Sequence, residues 1–292
     1  MSSRMTASSP LISPEELRAQ VGDPRLVLVD VRTGPDARAR YQSGHLPGAL
    51  FVDMDADLAA PPHPSGRGGR HPLPSTTAFA ELLGRLGIAP DTRVVAYDEK
   101  QGANAASRFW WMLRAAGHDG VRVLDGGLQC AIAAGIVTVS AIETARPVAA
   151  RPFSEWRLPI ASIDDVRSAT MQTPSHTSAP VIDVREPKRY RGEQEPIDKI
   201  AGHIPGAINL PFADNLSTDG RFLPPNELRA KYATALGDTP AERAIVHCGS
   251  GVTACHTLLA FEIAGLATPR LYVGSWSDWS NQGNPVATGA QP

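Results

Sequence analysis

Four short segments of this chain occur twice, in the same order and about 150 residues apart. Residues 26–32 match 180–185, residues 44–49 match 202–207, residues 94–98 match 244–248, and residues 123–126 match 271–274. Repetition of this kind indicates a structural unit that is present more than once. Since a chain of 292 residues suffices for two domains of roughly 100–200 residues each, we predict two copies of one fold.

The pattern inside each copy predicts an α/β fold with a parallel sheet flanked by helices on both faces. Short apolar, β-branched runs alternate with amphipathic segments, and strands that are apolar throughout are typical of sheets covered on both sides. We place the copies at residues 10–139 and 158–285, and a linker without clear periodicity at 140–157. The predicted strands are 26–31, 50–52, 93–97, 121–124, 181–184, 208–210, 244–247 and 271–273, and the predicted helices are 76–86, 104–116 and 254–264.

Composition excludes several classes of protein. A formal net charge of −2 gives no field that would attract nucleic acid, and no segment approaches the ~18 consecutive apolar residues of a membrane span. Three cysteines are too few for a disulfide framework, and the amino terminus lacks the apolar core of a secretory signal, so we expect a cytoplasmic protein. The histidines and cysteines do not show the paired spacing of metal ligands, so we expect no metal. We expect no organic cofactor either.

One cysteine lies at the carboxyl end of a predicted strand, which is where parallel sheets usually bind their ligands. Cys248 is followed by Gly249, Ser250, Gly251, Val252 and Thr253 and then by a predicted helix. The glycines allow several N–H groups to turn into one concavity, and the helix directs its positive end there, which favours a thiolate. The alternative is a buried structural cysteine, which is the interpretation we favour for Cys130 and Cys255.

The paired Asp-x-Arg and Gly-His-(Ile/Leu)-Pro-Gly-Ala segments, with a cysteine loop in the second copy alone, resemble the two-domain rhodanese-type sulfurtransferases. The resemblance implies that the first copy is catalytically silent, with Asp98 in the place of Cys248. It implies a double displacement in which Cys248 becomes a persulfide and then passes its sulfur to a thiol or cyanide. A thioredoxin-like protein is one such thiol acceptor. The reaction needs neither metal nor organic cofactor.

The loop composition bears on the sulfur donor. Within the family, thiosulfate-type members carry basic residues after the cysteine, whereas mercaptopyruvate-type members resemble the uncharged sequence found at residues 248–253. The resemblance therefore favours 3-mercaptopyruvate as the donor, with thiosulfate as the alternative. It also assigns Gly249, Gly251, Val252 and Thr253 to substrate binding.

Further site residues follow from the same resemblance. Mercaptopyruvate-type members pair the loop serine with a histidine and an aspartate of the first domain, which implies a Ser250–His71–Asp55 proton relay. The alternative is that His71 lines a loop and Asp55 caps a turn. Arg189 matches the family's substrate arginine, against the alternative of a solvated surface charge. A second arginine, expected about nine residues later, is absent, so either Lys199 replaces it or the site has one cation fewer.

Two other functions remain open from the sequence. Thiolate phosphatases use a similar loop but have an arginine six residues after the cysteine, where this chain has Ala254. A protein that only binds sulfur could use the same fold without turnover. Among the repeated residues, Asp183 and Arg185, like Asp30 and Arg32, are predicted to form an ion pair. His45 and His203 are predicted to be structural because both copies contain them.

Overall fold

The computed structural model describes residues 9–102, 105–171 and 179–292. Each half contains one sheet, and every strand pairing in both sheets is parallel. The first sheet has the order β1-β5-β4-β2-β3 and the second has the order β7-β6-β8-β9. The strands are β1 (Leu11–Ile12), β2 (Leu26–Arg32), β3 (Ala49–Asp53), β4 (Arg93–Tyr97), β5 (Val121–Leu124), β6 (Val181–Asp183), β7 (Ile208–Asn209), β8 (Ile245–His247) and β9 (Arg270–Leu271).

Helices connect the strands, as expected for parallel neighbours. In the first half they are α1 (Pro14–Arg18), α2 (Ala37–Ser43), α3 (Met54–Asp57), α4 (Thr76–Arg85), α5 (Ala105–Ala115) and α6 (Gly127–Ala133). In the second half they are α7 (Ile163–Met171), α8 (Pro187–Tyr190), α9 (Pro225–Leu236), α10 (Ala254–Ile263) and α11 (Ser275–Asn281).

Most predicted elements are confirmed. The differences are the bounds of one strand and the elements that the sequence pattern did not predict, which are β1 and the helices α1, α2, α3, α6, α7, α8, α9 and α11. The predicted strand at 271–273 is wrong in its bounds, because the chain leaves the sheet after Leu271 and turns into α11. The edge strand β1 was not predicted, since two residues are too short to show a period. The predicted helix 104–116 is observed as α5, and its first residue, Asn104, lies outside the described residues.

A single apolar core joins the two halves. Alternate side chains of each strand point to opposite faces, so Val29 and Val31 of β2 and Val246 of β8 all enter this shared core. It also contains α5 and α10, which pack against each other between the two sheets. The outer face of each sheet is covered separately, by α1 and α6 in the first half and by α7 and α11 in the second. Both sheets therefore have helices on both faces, as predicted.

The linker lies against the first half. Residues 140–157 contain no helix or strand, but Trp156 stacks on Trp111 of α5 at a centroid distance of 6.3 Å and Phe153 meets the edge of Phe79 of α4. Val148 donates its N–H to the carbonyl of Gly84. This aromatic packing fixes the path of the linker across the surface of the first half. The predicted boundaries at 139 and 158 stay a prediction.

The repeated sequence segments form repeated contacts. Arg32 binds Asp30 with both ends of its guanidinium at 2.8 Å, and Arg185 binds Asp183 in the same way. Each arginine also donates to the carbonyl of the glycine that precedes the repeated histidine, at 2.6 Å for Gly44 and 2.7 Å for Gly202. The predicted ion pairs are thus confirmed, and both tie the end of a central strand to the next loop.

The repeated histidines are structural. His45 stacks on Tyr41 at 4.0 Å and His203 stacks on Tyr190 at 3.7 Å, and each imidazole Nδ1 lies 2.8 Å from the carbonyl of its tyrosine. All four side chains are buried. Since the half without the cysteine loop makes the same contacts as the half that has it, these residues support the fold rather than the chemistry.

The buried pair Asp183–Arg185 generates a stability prediction. Burial acts to raise the pKa of the Asp183 carboxyl, but Arg185 more than offsets this, so that the pKa lies below its ordinary value. Replacing Arg185 with methionine leaves a fully buried carboxylate unpaired, and we expect the free energy of unfolding to fall by about 3–5 kcal/mol in urea denaturation. As a control, Arg191→Met removes an exposed pair with Glu193 and should change it little. Equal losses of unfolding free energy in the two variants would contradict the role of the buried Asp183–Arg185 pair in stability.

Candidate active site

The register of the two sheets shows that Asp98 and Cys248 occupy equivalent positions. Asp30 pairs with Tyr97 across the first sheet, and Asp183 pairs with His247 across the second. The residue that follows each of these strand ends is Asp98 in one half and Cys248 in the other. The predicted correspondence between the two residues is therefore confirmed by the backbone.

In the first half the loop holds a negative charge of its own. One carboxylate oxygen of Asp98 accepts hydrogen bonds from the backbone N–H groups of Lys100 at 2.7 Å and Gly102 at 2.9 Å. The other accepts from Ala106, in the first turn of α5, at 3.1 Å. Loop N–H groups and a helix N-terminus thus converge on one anionic side chain. This strand-loop-helix arrangement is built to stabilise an anion.

The equivalent loop of the second half follows Cys248 directly. Among the residues that the structure describes, none accepts a hydrogen bond from the backbone N–H groups of residues 249–253. The Cys248 N–H itself donates to the hydroxyl of Ser275 at 3.1 Å, and the Cys248 carbonyl accepts from Trp276 at 3.0 Å. The first residues of α11 therefore hold the backbone of Cys248 in place. Sequence reasoning missed Ser275, whose φ of 55° is unusual for a residue other than glycine.

Gly251 shapes the loop rather than the cavity wall. Its φ is +76°, and a Cβ at this position would lie 2.4 Å from the carbonyl oxygen of Val273. A side chain is therefore excluded on two grounds, backbone conformation and space. Gly249, Ser250, Val252 and Thr253 line the cavity with Cys248, whereas Gly251 does not. Gly251 was predicted to bind the substrate, but it is not part of the cavity wall.

A buried arginine of the first half holds the cysteine loop of the second. Arg108 of α5 has no exposed surface, and its guanidinium donates to the carbonyl of Gly251 at 3.2 Å and to that of His71 at 3.0 Å. Within the described part of the chain it forms no ion pair with a carboxylate. Burial lowers its pKa, and the neighbouring thiols of Cys255 and Cys248 act in the opposite direction. Arg108 thus places a positive charge near Cys248.

The structure brings Ser250, His71 and Asp55 together across the domain interface. The Ser250 hydroxyl lies 2.8 Å from Nδ1 of His71, and Nε2 of His71 lies 3.0 Å from a carboxylate oxygen of Asp55. A proton on Nε2 donates to Asp55 and leaves Nδ1 as an acceptor for the serine. Asp55 does not cap a turn, because the carboxylate that caps α3 belongs to Asp53.

The protonation of His71 is set by competing effects. Burial lowers its pKa; the Asp55 carboxylate acts to raise it and Arg70 to lower it, and the result lies below the ordinary value of 6.5. The imidazole is therefore neutral at pH 7 and able to accept a proton. A neutral histidine between a hydroxyl and a carboxylate is the arrangement that general acid–base catalysis requires.

The loop that carries His71 is docked on the second half. The N–H of Gly68 donates to Asp278 at 2.9 Å, and that of Arg70 donates to the Ser277 hydroxyl at 3.0 Å. Gly69 between them has a φ of +77°, and a Cβ there would lie 2.3 Å from the Gly274 carbonyl. The approach is so close that this position requires glycine. This close packing places His71 against the cysteine loop.

The cations of the site differ from those predicted. Arg189 lines the cavity, where its guanidinium binds Glu195 at 2.7 Å. Lys199 is exposed and does not line the cavity, which argues against the first of the two alternatives, that it replaces the second substrate arginine. Arg70 of the first half lines the cavity instead. Its position directly before His71 in the sequence was the available signal, but only the packing of the domains shows that it lines the same cavity as Cys248.

The resulting cavity has a volume of about 680 Å³ and lies between the two halves. A cavity of about 790 Å³ lies under the linker and contains none of the predicted site residues. The other cysteines are poorly suited to catalysis. Burial raises the pKa of Cys255 to about 12, and Cys130 lies away from this cavity with its thiol 3.6 Å from the carbonyl of Asp219.

Comparison with known proteins agrees with the geometry. Residues 13–130 and 164–282 each match the rhodanese-like domain. The chain belongs to the rhodanese-like family. A Pseudomonas aeruginosa protein named "Probable 3-mercaptopyruvate sulfurtransferase" is 43% identical over 97% of this chain and 99% of its own length. A Mycobacterium tuberculosis protein named "Putative thiosulfate sulfurtransferase SseB" is 40% identical over 96% of this chain and 97% of its own length.

A solved structure extends the similarity to three dimensions. The crystal structure of SseA, a 3-mercaptopyruvate sulfurtransferase of Escherichia coli, superposes with a TM-score of 0.73 at 29% identity, covering 92% of this chain and 99% of that one. The rhodanese-like chain described here is thus a sulfurtransferase, as its relatives are. In the part of the chain that the structure describes, no helix is long and apolar enough to span a membrane.

Proposed function

We propose that this chain takes sulfur from 3-mercaptopyruvate and passes it to a thiol or cyanide through a persulfide on Cys248. The observation that carries the proposal is the contact of Ser250 with His71, and of His71 with Asp55, beside the cysteine loop. Such a relay serves a donor whose cleavage moves a proton. The uncharged loop from Gly249 to Thr253 also suits a donor with a single carboxylate better than a dianion.

In the first step the Cys248 thiolate attacks the sulfur of mercaptopyruvate. A sulfur–sulfur bond forms, the carbon–sulfur bond breaks, and its electron pair passes to carbon to give the enolate of pyruvate. The enolate then takes a proton at carbon and leaves as pyruvate, while the sulfur remains on Cys248 as a persulfide. The loop N–H groups around Cys248 would stabilise the persulfide anion, as their counterparts stabilise the Asp98 carboxylate.

The proton balance of this step defines the role of the relay. The proton lost from the donor thiol equals the proton gained by the pyruvate carbon. Ser250 would pass it to the neutral His71, and Asp55 would stabilise the imidazolium that forms. The relay returns the proton to the product, so it ends the step unchanged.

In the second step an acceptor removes the outer sulfur. A thiolate attacks it, forms a new persulfide and regenerates the Cys248 thiolate; cyanide reacts in the same way to give thiocyanate. The proposed acceptors are small thiols and a thioredoxin-like protein. The three cysteines are free in the structure, which supports the proposal of a reducing cytoplasm as the location.

Thiosulfate remains the second candidate donor, because Arg70 and Arg189 both face the cavity and could bind a dianion. Attack of Cys248 on thiosulfate forms the same persulfide and releases sulfite. No proton is gained or lost in that cleavage, so it does not require the relay.

The donor assignment is tested by steady-state kinetics with cyanide as acceptor. We expect kcat/KM for 3-mercaptopyruvate to exceed that for thiosulfate by at least about tenfold, a difference of about 1.4 kcal/mol in transition-state binding. Cys248→Ser should abolish both reactions, whereas Cys255→Ser should retain both. A preference for thiosulfate would overturn the assignment of the donor, and activity in Cys248→Ser would overturn the mechanism.

The relay is tested by replacing His71 with glutamine. The variant should lose roughly 100-fold in kcat with 3-mercaptopyruvate, the usual contribution of a general acid–base group. Its turnover of thiosulfate, which needs no proton, should change little. Because the pKa of His71 lies below 6.5, wild-type activity with 3-mercaptopyruvate should persist from pH 8 to about 6.5 and fall below that as the imidazole is protonated. Equal losses with both donors would indicate a structural role instead.

A further inference from the structure

Two arginines from different domains face the same point beside the nucleophile. The position that a Cβ would occupy on Gly249 lies 3.3 Å from Nη2 of Arg70, and 3.4 and 3.5 Å from Nη2 and Nη1 of Arg189. Gly249 directly follows Cys248 and lines the cavity. The absence of a side chain at 249 therefore leaves room between two guanidinium groups next to the reacting thiol.

A buried carboxylate fixes the position of both guanidiniums. Asp198 is only 5% exposed; it forms an ion pair with Nη1 of Arg70 and lies 3.5 Å from Nη2 of Arg189. Glu195 holds the other edge of Arg189, through Nε at 3.2 Å and Nη2 at 2.7 Å. The two arginines thus keep a defined separation and direction.

These contacts leave at least one nitrogen of each guanidinium without an acceptor among the described residues. Nη2 of Arg70 and Nη1 of Arg189 donate to no acceptor within residues 9–102, 105–171 and 179–292. Both of these nitrogens lie beside the space above Gly249, next to Nη2 of Arg189, which is bound to Glu195. Two cationic donors that converge on one point match the two oxygens of a carboxylate.

We propose that Arg70 is the second carboxylate-binding arginine of this site, so that the donor's carboxylate lies above Gly249 between guanidiniums supplied by the two domains. This inference rests on the proposed function, since 3-mercaptopyruvate carries its carboxylate three bonds from the sulfur that Cys248 attacks. The catalytically silent domain then supplies substrate specificity as well as the proton relay. Lys199 has no part in it.

The test compares two donors that differ in the carboxylate alone. 1-Mercaptopropan-2-one keeps the thiol and the ketone of 3-mercaptopyruvate but has a methyl group where the carboxylate was. In Arg70→Met, kcat/KM for 3-mercaptopyruvate should fall about 10- to 100-fold, mainly through KM, as expected for loss of a charge-assisted hydrogen bond. The same parameter for the uncharged ketone should stay within about twofold of wild type, so this second donor also reports whether the variant is folded.

The matched control is Arg67→Met. Arg67 lies three positions earlier in the same loop, is exposed and forms no ion pair with any described residue. It should leave both donors unaffected. Assays at pH 8 keep His71 neutral in all proteins, so the loss in Arg70→Met cannot come from the relay. Equal losses with the two donors, or no loss with either, would overturn the proposal.

Inhibition by pyruvate separates this inference from the proposed donor. Pyruvate retains the carboxylate and can be measured as a competitive inhibitor of thiosulfate turnover, which needs no reaction of mercaptopyruvate. If Arg70 binds the carboxylate, its replacement by methionine should raise the inhibition constant about tenfold. An unchanged constant overturns the role of Arg70. A wild-type enzyme that fails to use 3-mercaptopyruvate overturns the proposed donor, whatever the inhibition constant shows.

Discussion

The buried guanidinium of Arg108 joins the two halves of the molecule at the point where they form one site. It extends from α5 of the first half and donates to the carbonyls of Gly251 and His71, which belong to the nucleophile loop and the relay loop. A charge in this position would be costly without such partners, since burial disfavours it. The shared core of α5 and α10 excludes water around it. The distance between nucleophile and relay therefore depends on packing between domains.

The two copies of the fold contribute different parts of the site. Both halves keep the loop that binds an anion, but the first fills it with the carboxylate of Asp98, which cannot carry sulfur. The first half contributes to the site through the loop with Gly69. This loop packs against the second half and places Arg70 and His71 at the cavity. In the proposed mechanism the first copy remains necessary, because it supplies His71 and Asp55 to the cysteine loop of the other copy.

Residues whose roles follow from local order could be predicted from the sequence. Cys248 follows a strand and precedes glycines, and the repeat identified its counterpart, Asp98, before any contact was known. Arg70 and Arg108 could not be predicted, because a basic residue in a loop or a helix acquires a role only from what the other domain places beside it. Ser275 belongs with them: it lies one residue beyond the repeated segment 271–274, and its support of the loop depends on a contact that the sequence does not show.

The central claim is that a sulfur atom rests on Cys248 within the loop of N–H groups. Intact-mass spectrometry after incubation with 3-mercaptopyruvate, without acceptor, tests it directly. The account predicts a gain of one sulfur atom, located by fragmentation on Cys248 rather than Cys255 or Cys130, and removed on addition of cyanide. Sulfur found on another cysteine, or no gain while pyruvate is still released, would contradict it.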